Sequence, residues 1–258
     1  LRREAGNASE LADAVRGEPG IRVPAVHWNY TSRRILALDW VDGVKLTDRA
    51  GLEASGANLP ALARTVVRGF LAQAIGRGFF HADLHQGNLI LCPDGRLALL
   101  DFGIMGRLDR RARVYLAEIL YGLIVGNYRR VAEVHFEAGY VPAWHDRHAF
   151  ATALRAVGEP IRGRATAEIS VGGLLDGLFA ITRSFDMETQ PHLLLLQKTM
   201  VMVEGVASSL DPGINMWETA APYVKQWLRD ELGPEARLAD RIRGQLRLLA
   251  DLPSVAGR

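Results

Sequence analysis

Two short apolar runs, NLILC (88–92) and RLALLDF (96–102), flank Pro93-Asp94-Gly95. That tripeptide favours a tight turn, so residues 88–102 are expected to fold back as a hairpin. Polar side chains crowd its open end. Asn88 opens the first strand, Asp101 closes the second, and His81 and Asp83 lie in the segment leading in. Asp and Asn are common turn residues, and the turn alone explains part of this composition. The whole pattern is harder to reach by accident: at average residue frequencies a chance match in such a chain is on the order of 1 in 10,000.

The order His81-x-Asp83-x4-Asn88, then Asp101-Phe102-Gly103, matches the catalytic and metal loops of kinase-type phosphoryl transfer. That chemistry needs magnesium to bridge phosphate oxygens and a carboxylate to orient the attacking oxygen. Magnesium prefers hard oxygen ligands and takes few of them from the protein. Asn88 and Asp101 would converge on one ion from opposite strands, while Asp83 would face a substrate hydroxyl or a water. Gly103 would let the backbone turn sharply after the metal ligand. His81 is counted with the catalytic group, with a packing and hydrogen-bonding role beneath the metal loop favoured over proton transfer. His85 could approach phosphate or be a solvated loop residue. His145 and His148 have a metal-like spacing without a third ligand nearby, and read as a surface helix start. Cys92 reads as a small core residue.

Elsewhere the chain reads as an α+β protein. A helix over 1–17 carries Leu11 and Val15 on one face. VPAVHW (23–28) and RRILALDW (33–40) read as strands joined by NYTS. A crossover near 39–43 leads into a helical region. There Leu62, Val66, Phe70 and Ala74 form one stripe, Gly78 is a C-terminal stop, and Asp109 caps a run of helices. Those helices are expected over 109–138, 145–157, 171–183, 190–210, 216–232 and 236–250. A net charge of +2 does not suggest a nucleic-acid partner. The single cysteine, Cys92, fits a reducing, cytoplasmic setting. No uninterrupted apolar run approaches the roughly 20 residues of a membrane span. HLLLLQKTMVMVEGVASSL is interrupted by Lys198 and Glu204 and reads as a buried helix. The first residues lack the apolar core of a signal peptide. The chain opens on Leu1 inside an uncapped helix, so an upstream part is expected.

HADLHQGNLI, LLDFGIMGRL and LLLLQKTMVMVEGVASSLDPGINMWETAAPYVKQW together resemble the UbiB family. REAGNA, VPAVHW with RRILALDWVDG, and VGNYRRVAEVHFEAGYVP extend the likeness over nearly the whole chain. These atypical, protein-kinase-like proteins (the aarF-domain kinases) are associated with ubiquinone biosynthesis. The resemblance implies a bilobed kinase-like fold, ATP with Mg2+, and an ATPase or kinase activity. It divides the chain into an N-lobe remnant (1–41), a helical C-lobe with both loops (42–232) and a basic amphipathic tail (233–258). Glu4 falls where the family has the helix glutamate that pairs with the nucleotide-contacting lysine. Leu38, Asp39, Trp40 and Val41 fall on the hinge whose backbone would hold adenine. Ala82 stands where ordinary kinases have Arg, as the family expects, and Gln86 where many members have Pro. The family's KxGQ helix, alanine-rich loop, lysine strand and C-terminal membrane helices do not occur in these residues. The chain is therefore expected to be a fragment with weak or no nucleotide turnover by itself. Partners implied are quinone-pathway lipid intermediates or ubiquinone biosynthesis enzymes. A membrane surface is implied as well, with the full-length protein cytoplasmic and peripheral at the inner membrane. RLADRIRGQLRLLADL suits a helix on an anionic bilayer or a terminal helix packed on the lobe, the latter being favoured.

Two other functions fit parts of the pattern. Aminoglycoside- or choline-kinase-type phosphotransferases share H-x-D-x4-N, but usually lack the intact Asp-Phe-Gly, and they lack the LLLLQKT…EGVASSLDP segment (193–212). A pseudokinase-like scaffold binding nucleotide or lipid would need the fold without the chemistry. No flavin, haem or iron ligation pattern supports direct oxygen chemistry.

Overall fold

A computed structural model of the chain describes residues 1–162, 177, 180–187 and 190–233. The expectations for 171–183 and 236–250 fall wholly or largely outside these residues. The fold is mixed α+β and mostly helical, with small sheets.

Helix α1 (Arg2–Ala14) begins with no side-chain cap and buries Ala5, Ala8 and Leu11. It leads to strand β1 (Ile21–Arg22). The segment 23–40 does not form the expected two-stranded ladder. It is held by one bridge, Val26 opposite Leu38, with His27 N–H donating to Ala37 and Asp39 N–H to Ala25. Pro24 and the turn residues Asn29 to Ser32 limit regular pairing there. Strand β2 (Val44–Lys45) follows, then helix α2 (Arg49–Ala54), capped by Asp48.

Helix α3 (Leu59–Leu71) is capped by Asn58 and buries Leu62, Val66 and Phe70. It widens into a π-helical turn over Ala72–Arg77, then stops at Gly78, whose φ of 72° is left-handed. This is the expected stop. Strands β3 (Phe79–His81), β4 (Leu89–Leu91), β5 (Leu97–Leu99) and β6 (Met105–Arg107) come next. The PDG hairpin β4–β5 forms in the expected register, Leu89 opposite Leu99. It is not isolated. β1 pairs parallel to β5 and β2 antiparallel to β4, giving a four-stranded sheet of order β1-β5-β4-β2. A second ribbon pairs β3 with β6.

The expected helix over 109–138 divides in two. Asp109 caps α4 (Arg110–Val125), Gly126 ends it with φ 75°, and Asn127 caps α5 (Tyr128–Glu137). Helices α6 (Arg147–Arg162), α7 (Pro191–Leu210) and α8 (Met216–Leu232) complete the described fold. Leu193–Leu210 is long and apolar enough to cross a membrane by length and composition. Here α7 packs extensively on α3, burying Leu196, Thr199, Val203, Val206, Ala207 and Leu210 at helical spacing. It is a core helix in this fold. One core surrounds the hairpin, with Phe70, Ile75, Phe80, Leu89, Leu99 and Phe102, and reaches α7 and α8. A second joins α4, α5 and α6 around Tyr128, Val131, Phe150 and Leu154.

Candidate active site

Strand pairing alone brings the two loops together. The segment 82–88 runs from β3 to β4, and 100–104 from β5 to β6. Because β3 pairs with β6 and β4 with β5, the loops face each other between two ribbons. Backbone bonds close both ends: Ala82 N–H donates to Ile104 at 3.0 Å and Leu100 N–H to Asn88 at 2.9 Å.

His81 is fully buried beneath this ring. Its Nδ1 accepts from the Asp83 N–H at 3.1 Å, which makes Nε2 the protonated nitrogen that donates to the Leu100 carbonyl at 2.8 Å. Burial lowers its pKa, against the opposing pull of the Leu100 and Asp101 backbone bonds and the Asp101 and Asp83 charges. With both nitrogens engaged, the ring ties the two loops together. Phe102 packs edge-on to it at 5.9 Å. Below, the buried Gln73 of the π turn receives the His81 N–H on Oε1 and donates to the Gly69 carbonyl, both at 3.0 Å.

Asn88 is buried, and its Nδ2 donates to the Asp83 carbonyl at 3.0 Å. A carbonyl only accepts, so the amide nitrogen must face it, leaving Oδ1 as the uncommitted acceptor. Asp101 is exposed and sits at φ 59°, a left-handed conformation few non-glycine residues adopt. Its Oδ1 accepts from Gly103 N–H at 3.2 Å. The unusual backbone thus belongs to Asp101 and not, as the sequence suggested, to Gly103. At 103 the constraint is proximity, since a Cβ there would lie 3.1 Å from that carboxylate oxygen, which would have to shift by a few tenths of an ångström. Asn88 and Asp101 therefore each offer an oxygen at one end of the hairpin, the donor type that Mg2+ accepts. Among the described residues no three His, Cys, Asp or Glu side chains form a metal cluster of their own. A weak protein ligand set of this kind suits an ion that arrives with phosphate oxygens.

Asp83 has Lys198 Nζ 3.5 Å from Oδ1 and His85 Nε2 3.7 Å from Oδ2. His85 also accepts from Gly87 N–H on Nδ1 at 3.0 Å. Glu4 lies half-buried on α1 and makes no hydrogen bond or ion pair among the described residues. Its helix is nevertheless fixed to the metal loop. One turn on, Asn7 Nδ2 donates to the Phe102 carbonyl at 2.8 Å, and Glu10 grips Arg107 through both oxygens. In the segment 38–41, expected to be a hinge, the Asp39 carboxylate binds His27 Nε2 at 2.8 Å and Ala25 N–H at 3.3 Å. Leu38, Trp40 and Val41 make no backbone–backbone hydrogen bonds among the described residues. Trp40 is exposed, and Val41 packs beside Ile90, Cys92 and Ala98. Cys92 is buried and free. His145 pairs with Asp186 at 3.3 Å, and Asp146 caps α6, as a helix start requires.

Sequence reasoning missed several polar anchors. Thr199 Oγ1 donates to the Ala82 carbonyl at 3.2 Å, and Gln86 Nε2 to Ser209 Oγ at 2.6 Å, fastening α7 to the catalytic loop. Thr199 and Gln73 did carry a signal: each interrupts an apolar helix face, where a buried polar group needs a partner.

The ABC1 atypical kinase-like domain model matches residues 1–135, just over half of the chain, and the UbiB helical domain model matches 154–215. The chain belongs to the ABC1/UbiB atypical kinase-like family. It is 39% identical over 256 residues to a probable protein kinase UbiB of Azotobacter vinelandii. That match covers 98% of this chain and 48% of the relative, so the chain spans about half of that protein's length. A solved structure of Rv3197 with erythromycin, from Mycobacterium tuberculosis, has the same kinase-like fold, with a TM-score of 0.54. The likeness covers 85% of this chain and 56% of that one, at 20% identity.

Proposed function

We propose that these residues form the phosphate-handling half of a UbiB-type atypical kinase or ATPase that supports ubiquinone biosynthesis. The observation that carries this reading is the pair of uncommitted oxygens on Asn88 and Asp101, joined to Asp83 by one hydrogen-bonded ring. In this reading Asn88 and Asp101 hold Mg2+ with ATP. The ion supplies charge that offsets what builds up on the transferred phosphate. Asp83 orients the acceptor hydroxyl or water and takes its proton as the new oxygen–phosphorus bond forms and ADP leaves with the bonding electrons. Glu4 orients a lysine contributed from outside these residues, and Leu38, Trp40 and Val41 hold adenine by their backbones. His81 serves as the tie between loops.

The assignment divides the chain into an N-lobe remnant (1–41), a C-lobe (42–232) and a basic tail (233–258). The wider setting is inferred from the relatives: quinone-pathway lipids or their enzymes as partners, at the cytoplasmic face of the inner membrane. A scaffold role is favoured by one observation alone, the absence of a cationic partner for Glu4 among the described residues. The two readings part on Asp101→Asn in the longest native chain containing these residues. Asn tolerates the left-handed backbone, so the fold is kept. Turnover of Mg-ATP should fall on the order of 100-fold or more, with ubiquinone synthesis lost. Unchanged turnover in both Asp101→Asn and Asn88→Ala would refute the metal site; full ubiquinone synthesis without turnover would favour the scaffold.

A further inference from the structure

Lys198 breaks the apolar run of α7, and nothing in the proposed metal or nucleotide contacts uses it. Its place is set by its neighbour. Thr199 is fully buried, and its single hydroxyl hydrogen is shared between the Leu195 carbonyl at 2.8 Å and the Ala82 carbonyl at 3.2 Å. Adjacent residues on helix and loop are thereby held in register, Thr199 on Ala82 and Lys198 on Asp83. Gln86 and Ser209 fix the same helix to the loop a second time. The resulting Nζ to Oδ1 distance is 3.5 Å. His85 is the other cationic group at Asp83, 3.7 Å from Oδ2.

Stability does not account for this pair. The lysine side chain is 56% exposed, and ion pairs of that kind contribute little once screened by water. A compact ammonium with three donors does have an effect on a carboxylate that must present one oxygen to a reacting group. Held on Oδ1, it restrains the carboxylate plane and leaves Oδ2 with His85 Nε2 at 3.7 Å as its neighbour.

We propose that Lys198 is a positioning residue for Asp83, set in place by the Thr199–Ala82 bond. This inference rests on the reading of Asp83 as the acceptor-facing carboxylate. The test uses the longest native chain, with Lys198→Met, which removes the charge and keeps the stem, and Lys198→Arg, which keeps the charge. Lys198→Met should lower kcat for Mg-ATP turnover roughly tenfold to a hundredfold, with KM for Mg-ATP and Tm essentially unchanged. Lys198→Arg should recover most of the loss. In an Asp83→Asn background, Lys198→Met should have no further effect, because it acts through the carboxylate. A Lys198→Met enzyme with parental kcat, or an equal loss in the Asp83→Asn background, overturns the proposal while leaving the phosphoryl-transfer reading intact. A parent chain with neither turnover nor Asp101-dependent binding of Mg-ATP removes both.

Discussion

Asp101 shows how one residue answers to two demands. Its backbone is left-handed, and the Gly103 amide steadies the carboxylate. Asp and Asn tolerate this conformation because a short polar side chain can bond locally, whereas a β-branched residue clashes with its own carbonyl. Asp101→Val is therefore expected to destabilise the fold by about 2 kcal/mol. Asp101→Asn should stay within about 0.5 kcal/mol of the parent. Urea unfolding followed by circular dichroism measures both. Equal stabilities would mean the backbone at 101 is unstrained. No sequence pattern announced this strain. The conspicuous glycine at 103 drew the expectation away from its neighbour, because spacing reports residue types and not dihedral angles.

At the scale of elements, the β3–β6 ribbon is what closes the ring. Its tolerance is narrow: a Cβ on Gly106 would lie 2.1 Å from the Phe80 ring, itself fully buried against Phe70. Gly106→Ala should cost about 3 kcal/mol through overpacking, seen as a lower urea midpoint; a change under about 0.5 kcal/mol would show that the ribbon yields. The sequence disclosed the elements whose signals are local. PDG fixed the β4–β5 hairpin, and Asp109 marked a true helix cap. Gly126 and Asn127 were legible as a break but were read as continuous helix. The two-residue strands β1 and β2 and the β3–β6 pairing escaped because each is made by a distant partner, not by its own periodicity. Of the candidate site, Asp83, Asn88 and Asp101 were readable as chemistry in one short segment. The partners of the anchors on α1 and α7 were not, since a hydrogen bond across about a hundred residues of chain leaves no local trace of its other end.

Across the whole molecule, buried histidines make stability depend on acid. His135, buried among Tyr140, Phe150 and the Val131 carbonyl, has its pKa lowered to about 4, chiefly by burial and despite that carbonyl's opposing bond. The unfolded chain binds a proton near the ordinary histidine value, while the folded chain refuses it until about pH 4. Stability is thus fully present above about pH 6.5 and declines by about 3 kcal/mol as pH falls through this window. His81 shifts in the same direction for the same first cause. Urea midpoints taken from pH 7 to pH 4 should fall, and His135→Gln should flatten the slope; an unchanged slope would mean that His135 is hydrated or already charged. The four-stranded sheet has a mechanical corollary. β1 and β2, on either side of residues 23–43, are its two outer strands. The segment between them is consequently pegged at both feet, like an awning stitched along two seams, and it cannot swing away as a free arm.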